Sequence, residues 1–515
     1  MRVSIFTIVI FLGILLGSSS CRKNFEYAPS AGNLSFSQDT VFLDTVFNTI
    51  GSSTYALKVY NETRDDVVIP SIELARGTSS FYRLNVDGEA GKSFQNIPVK
   101  ALDSMFIFIE TTANIIESTE TNILYTDVIT FDSGIAQQEV TLVTLVKDAI
   151  FLYPRTNADG TKERVILSVD AEGNEIRADG FDLSDSQLRF SNDKPYVIYG
   201  YAAVPPDKEL IIEAGARVHF HKDSGLLIKE RGSLHINGEL SENQELKEGE
   251  VIFEGDRLEP SFSEVPGQWG AVWIAKGSNN NTIDYVTIKN GSIGLFVEGD
   301  DQLLSPTLEI NNSHIYNNTN HNLWAKSAFV AAKNVVLGGS GNASLYCNLG
   351  GNYSFTHCTI ANYWNKGFRS SAALEIDNFV QLSETNSATQ DLINADFRNC
   401  IIDGNSQIEL ALRTNGESLF NYNFSDCSLK FDDFSNQFID NPLYDFEDNS
   451  RYINVLLNID SDFFFPTNNN FKITLESEVR NKAALIFAQE VPLDILGINR
   501  IPSPDLGAYQ ASEKE

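Results

Sequence analysis

Positive charge is scarce in this chain: 38 Lys and Arg stand against 69 Asp and Glu, a formal net charge of −31 over 515 residues. Such a surface repels a DNA or RNA backbone, and it opposes acidic polysaccharides unless divalent cations intervene. The Ala/Leu/Glu/Lys-rich periodic blocks of helical proteins are missing. Beyond the N-terminus no apolar run is long enough for a membrane helix. There is no nucleophile elbow, phosphate loop or Cys-x-x-Cys pair among the five cysteines. What is plentiful is Gly, Asn, Ser, Thr and aromatics, in short alternating runs, which predicts an all-β protein. The length allows two or three domains, each with its own core.

The N-terminus, MRVSIFTIVIFLGILLGSSSC, carries Arg2, an apolar run from Ile5 to Leu16, and small residues up to Cys21. A basic start, a run too short to span a bilayer and a small-residue cleavage site read as a secretory signal over residues 1–20. The small residues before Cys21 resemble a bacterial lipobox, with Ser18 where Leu is usual, as in the looser lipoboxes of Bacteroidetes-type bacteria. The resemblance implies that Cys21 is the lipidated first residue of the mature protein; the alternative is an ordinary signal peptide. The expected location is the cell envelope, lipid-anchored at the outer membrane, on its periplasmic or its outer side. Residues 21–35 read as a tether.

From residue 36 to 150 about seven short alternating strands follow one another, among them TVFLDTVF, STYALKVYN, SMFIFIETT and QEVTLVTLV. That density predicts a β-sandwich. The stretch from Ala56 to Gly88 is similar to immunoglobulin-like modules of exported bacterial proteins, in which the Asn at position 61 turns the chain. Residues 151–200 read as a connector.

From residue 282 onward an internal repeat emerges: DYVTIKN, NNSHIYN, KNVVLGG, THCTIAN, RNCIIDG and SDCSLKF. The shared aliphatic falls at Ile288, Ile315, Leu337, Ile360, Ile402 and Leu429, with spacings of 27, 22, 23, 42 and 27 residues. One such unit cannot bury its apolar face alone; stacked units can, with Asn at the corners because it tolerates the left-handed region. The gap of 42 residues implies an inserted loop or an extra degenerate unit. Two residues before the aliphatic stand Val286, Ser313, Val335, Cys358, Cys400 and Cys427, on the same inward face by period-two alternation. These three cysteines are therefore expected as buried free thiols; Cys347 lies off the column. The C-terminal run LDILGINRIPSPDLGAYQ resembles the closing segment of right-handed parallel β-helix (pectin-lyase-like) proteins through Asp494, Gly497, Arg500, Pro504, Asp505, Leu506, Gly507, Ala508 and Tyr509. The resemblance covers roughly residues 200–510. The expected architecture is thus a right-handed parallel β-helix over residues 201–510, preceded by an immunoglobulin-like sandwich.

One such scaffold hosts lyases, hydrolases, adhesins and spacers. A lyase of this type uses carboxylate-bound Ca²⁺ and a Lys or Arg base. Trp273-Ile274 is similar to the start of a pectate-lyase Trp-Ile-Asp-His run, but Ala275-Lys276 stands where the polar pair belongs. A polygalacturonase-like hydrolase needs paired aspartates and Gly-His-Gly; Asp432-Asp433 and Asp300-Asp301 read better as solvated acidic turns, and Gly-His-Gly is absent. Lys366 and Arg369 are candidate cationic bases near a corner. His219, His221 and His235 are candidates for one shared outward face, with solvent-facing histidines the commoner case. Trp269, Trp273, Trp324, Tyr363 and Trp364 are candidate stacking faces for sugars. The cluster Ser278, Asn279, Asn280 and Asn281 is most simply a corner. The expectation is a non-catalytic glycan- or partner-binding or structural module, the alternative being a carbohydrate-active enzyme such as a polysaccharide lyase. Expected partners are a polysaccharide or an envelope protein, with no nucleic acid and membrane contact through the lipid only. No cofactor is expected; Ca²⁺ is the one ion that the enzyme alternative would take.

Overall fold

Short strands whose side chains alternate between apolar and polar build both halves of the chain. The computed structural model describes residues 27–115, 122–169, 173–300, 305–383 and 386–514; the signal segment and Cys21 lie outside these. The chain divides into two compact units, residues 1–147 and 148–515.

In the first unit a six-stranded and a five-stranded sheet enclose one core. The strand Gln138–Lys147 shows the cause, since every second side chain from Val140 to Val146 is buried. Leu43, Leu57, Ile72, Leu84, Ile109 and Leu142 meet inside. Asn61 turns the chain as expected: its amide donates to the carbonyls of Asp65, Val99 and Lys100. Ala28 and Pro29, expected within the tether, instead pair in parallel with Val67 and Val68.

The second unit is a parallel β-helix of three long sheets, with strand order advancing by one rung at each step. The six aliphatics of the repeat are register partners from rung to rung in the first sheet: Ile288 on Ile315, Leu337, Ile360, Ile402 and Leu429. All six are fully buried; burying a side chain of this size contributes about 1.5–3 kcal/mol. The column two residues earlier is buried as well, and it forms a ladder of its own. The backbone N–H of Val286 donates to Ser313 Oγ, that of Cys358 to Cys400 Sγ and that of Cys400 to Cys427 Sγ. All four described cysteines are free and buried. Cys347 lies in the second sheet, in register with Ala325 and Ile376 on the inward face. Just before the ladder the chain turns through left-handed residues, Asn312, Asn334 and Asn399 among them. Their amides link rungs: Asn334 donates to Asn312, and Asn312 to Asp284.

One feature of this unit differs from the sequence reading. Residues 151–200, expected as a connector, carry the opening strands of all three sheets: Ile150–Leu152, the hairpin Arg164–Val169 with Glu175–Asp182, and Arg189–Phe190. These strands are single and dissimilar, so they show no period. The 42-residue gap contains an inserted antiparallel hairpin, Phe379–Ser383 with Asn386–Thr389.

The closing segment, which with its preceding strands begins at Phe463, lies on the outer face of the first sheet, where Phe471, Ile473, Ile495, Leu506 and Ala508 bury Val336, Ala361 and Ile401. Its motif residues are clamps. The Asp494 carboxylate accepts from the N–H groups of Leu496, Ile498 and Gln510. Arg500 donates to Asn334 Oδ1 and to the Ala508 carbonyl. Gly507 has φ +80°, and a Cβ there would meet Thr359 Oγ1 at 2.6 Å; this position requires glycine.

Candidate glycan-binding cleft

On the second-sheet strands from Val272–Ile274 onward the first and third side chains enter the core, so the second and fourth face outward. Register then stacks the outward residues into two columns. The first runs Trp273, Phe296, Trp324, Tyr346 and Glu375. The second runs Glu298, Lys326, Asn348, Asp377 and Arg413; Asn348 and Asp377 belong to the strands Leu345–Asn348 and Leu374–Asp377. An aromatic ladder thus lies beside a polar one, each gaining one residue per rung.

The aromatic rings are close but not coplanar. Trp273 and Phe296 have centroids 4.8 Å apart at 64°, Phe296 and Trp324 4.6 Å apart at 40°. Trp324 and Tyr346 stack at 6.0 Å and 21°. Phe296 is buried as a wedge between two half-buried tryptophans. Hydrogen bonds from the indoles to the polar column fix the tryptophans. Trp273 Nε1 donates to Glu298 Oε2 at 3.0 Å, and Trp324 Nε1 to Asn348 Oδ1 at 3.4 Å. Each acceptor sits one rung beyond its tryptophan.

The rest of the column is internally paired. Lys326 Nζ lies 3.2 Å from Glu298 Oε1, and Arg413 Nη1 3.0 Å from Glu375 Oε2. The Asp377 carboxylate accepts from the Leu349 N–H, the Asn348 amide and the Tyr346 hydroxyl. Burial pushes the Asp377 carboxyl up, against the pull of those donors. Around Trp273, Phe296 and Trp324 the surface forms a cleft of about 570 Å³, walled by Ser168, Val169 and Ala178 of the opening hairpin. Flat aromatic faces beside pre-oriented polar groups suit a ligand with one apolar face and a rim of hydroxyls.

The other sequence candidates fall elsewhere. Trp269 is only 1% exposed, stacked on Phe220, with its indole donating to the Lys289 carbonyl. Trp364 is buried, and Tyr363 packs against Phe463 and Phe471 of the closing segment. The three histidines share no face: His219 is in the first sheet and His235 in the third. His221 is 2.7 Å from Asp256, and His235 is bound to Thr282. Arg369 is no free base; its guanidinium forms a buried pair with Glu409, with side-chain exposures of 3% and 0%. Lys366 is exposed. Asp433 caps the N–H groups of Gln437 and Phe438, an acidic turn. Asp300 lines a recess beside the Asn279 corner, and Asp301 lies outside the described residues. The Asn cluster is a corner: Asn280 is left-handed, while Asn281 accepts from the Leu234 N–H and donates to the Thr307 carbonyl, tying three rungs. Phe296, Tyr346 and Asn348 escaped the sequence reading. The signal for them was the outward register position shared with Trp273 and Trp324.

Fold and cleft together define a parallel β-helix protein with an outward aromatic and polar cleft. No protein-family model matches the chain, and no curated protein matches it. Among solved structures it is similar to the catalytic unit of a thermostable GH87 α-1,3-glucanase from Streptomyces thermodiastaticus strain HF3-3, at 11% identity and TM-score 0.28, covering 72% of this chain and 73% of that one. It is also similar to a GH87 α-1,3-glucanase catalytic domain in complex with tetrasaccharides, at 9% identity and TM-score 0.16, covering 79% and 85%. A third likeness is to the ASH/PapD-like domain of human CEP192, at 9% identity and TM-score 0.16, covering 23% of this chain and 87% of that domain. At these scores none of the three bears on what this chain does.

Proposed function

We propose that this protein is a non-catalytic glycan-binding module of the cell envelope, anchored at the outer membrane through lipid on Cys21, with an immunoglobulin-like sandwich preceding the β-helix. The observation that carries the binding reading is the paired outward ladder, Trp273–Phe296–Trp324–Tyr346 beside Glu298–Lys326–Asn348–Asp377. Aromatic faces supply stacking, and the polar column supplies directional hydrogen bonds. A lyase would need cations poised for a carboxylate and a proton. Lys326 and Arg413 are instead engaged by Glu298 and Glu375.

The test is retardation of the purified mature protein in gels containing polysaccharides, run beside assays for new reducing ends and unsaturated uronates. Retardation without product is the expected result; sustained product release would overturn the non-catalytic reading. Radiolabelled palmitate is expected to enter the wild-type chain and not Cys21→Ser, and its absence from wild type would remove the anchor.

A further inference from the structure

The geometry points to a ligand class for this cleft: an uncharged, extended glycan with a two-residue repeat, lying along the solenoid axis so that every second sugar ring stacks on Trp273 or Trp324. This rests on the reading of the cleft as a glycan site.

Three observations carry it. First, the two tryptophans are two rungs apart, with Phe296 filling the rung between them. Parallel rungs repeat at about 4.8 Å, so the two indoles recur at about 9–10 Å, the length of a disaccharide in an extended β-linked chain. In such a ribbon alternate rings present the same face. A chain that coils, as many α-linked glucans do, turns its faces away over the same distance.

Second, the pattern repeats in its hydrogen bonds as well as its rings. Trp273 is held by Glu298 one rung on, and Trp324 by Asn348 one rung on. The two indoles are therefore each held by a bond one rung on, and little side-chain entropy is left to lose on binding.

Third, the charge in the cleft excludes an acidic chain. Among the lining residues Lys326 is the one cation and is paired with Glu298, while Asp223 adds a further negative charge. A uronate carboxylate would meet this surface, and the net −31 of the whole chain, without a counter-charge. Hydroxyl groups instead meet a carboxylate that accepts and an ammonium that donates, Glu298 and Lys326, already held 3.2 Å apart.

The inference is tested by binding isotherms on the mature protein, following tryptophan emission, with neutral β-1,4-linked oligosaccharides from two to six units. Matched α-linked glucan and oligouronate series run beside them. Neutral β-linked chains are expected to bind, with affinity rising steeply from two to four units as the second tryptophan is engaged. Trp273→Ala and Trp324→Ala are each expected to weaken the four-unit ligand at least tenfold and to abolish the length dependence. Trp273→Phe and Trp324→Phe, which keep the packing on Phe296, are expected to give intermediate losses should an alanine variant fail to fold. Binding of only the α-linked or only the uronate series, lost in the same variants, would overturn the ligand class and leave the glycan site standing. Binding that neither tryptophan affects would overturn the placement, and no binding in any series would overturn the glycan reading itself.

Discussion

Arg369 shows how one residue carries opposite meanings in sequence and in structure. As a cation beside a corner it reads as a candidate base. In the fold its guanidinium donates to both carboxylate oxygens of Glu409, at 2.8 and 2.7 Å, and to the carbonyls of Ser371 and Asn362. Glu409 in turn accepts from the N–H groups of Ala373 and Ser406. This is a buried knot that ties the loop before Leu374–Asp377 to the next rung. Removing one partner strands a buried charge, at a cost of about 3–5 kcal/mol. Arg369→Ala is therefore expected to lower unfolding free energy by about that amount in urea denaturation, whereas Lys366→Ala, at an exposed site, changes it by no more than about 0.5 kcal/mol.

The buried thiols obey the same logic of neighbours. Burial pushes the Cys347, Cys358 and Cys427 thiols up, so they serve as small apolar fillers rather than nucleophiles. Val286, Ser313 and Val335 hold the equivalent positions, so the column selects small buried side chains rather than sulfur chemistry.

At the scale of elements, the closing segment covers two histidines. His314 Nε2 is 2.8 Å from the Tyr509 hydroxyl, and His357 Nδ1 is 3.3 Å from the Gly507 carbonyl oxygen. Burial holds both imidazoles well below their ordinary 6.5, helped by Lys247 and Lys472 at His314 and by Arg500 at His357. Unfolded imidazoles take up protons as pH falls through about 6.5, while the buried ones stay neutral to lower pH. The stability that these depressed groups contribute is therefore complete above the unfolded value and is lost as pH falls towards the folded one. Each group sets a slope of up to about 1.4 kcal/mol per pH unit in that window. Urea midpoints measured from pH 7.5 to 5 are expected to fall more steeply for wild type than for the His314→Gln/His357→Gln double variant. Equal slopes would show that the clasp does not depend on neutral imidazoles.

For the whole molecule, the two units bury separate cores. Leu57, Ile72, Ile109 and their neighbours fill the sandwich, and the stacked aliphatics fill the β-helix. A solenoid takes its stability from contacts between adjacent rungs, with caps at the ends. Here the opening strands 150–198 start each sheet, and Phe431, Phe438, Tyr444 and Phe446 cluster beside the last rungs. Residues 148–515 expressed alone are accordingly expected to fold cooperatively, with β-sheet circular dichroism and an unfolding transition retained from the full chain. A fragment starting at residue 201, which loses the opening strands, is expected to be less stable or to aggregate through its exposed edges.

Much of this was legible in the sequence because a solenoid writes its register as a period. The aliphatics from Ile288 to Leu429 are register partners in the order their spacing implies, and the insertion sits in the one long interval. The first rungs were not legible, since a period needs repetition to be seen and residues 151–200 offer single, dissimilar strands. The cleft was half legible. Sequence singled out the tryptophans but could not sort them, because one indole satisfies either an apolar core or a solvent-facing cleft. Trp269 goes to the core against Phe220, whereas Trp273 and Trp324 go outward. Period-two patterning by itself determined which side chains within a strand share a face. Only the tertiary structure decided which strands stand next to one another, and with that which faces form a ladder. Neighbours in a sheet are fixed by closure of each rung, and successive residues of each ladder lie from 22 to 36 positions apart along the chain.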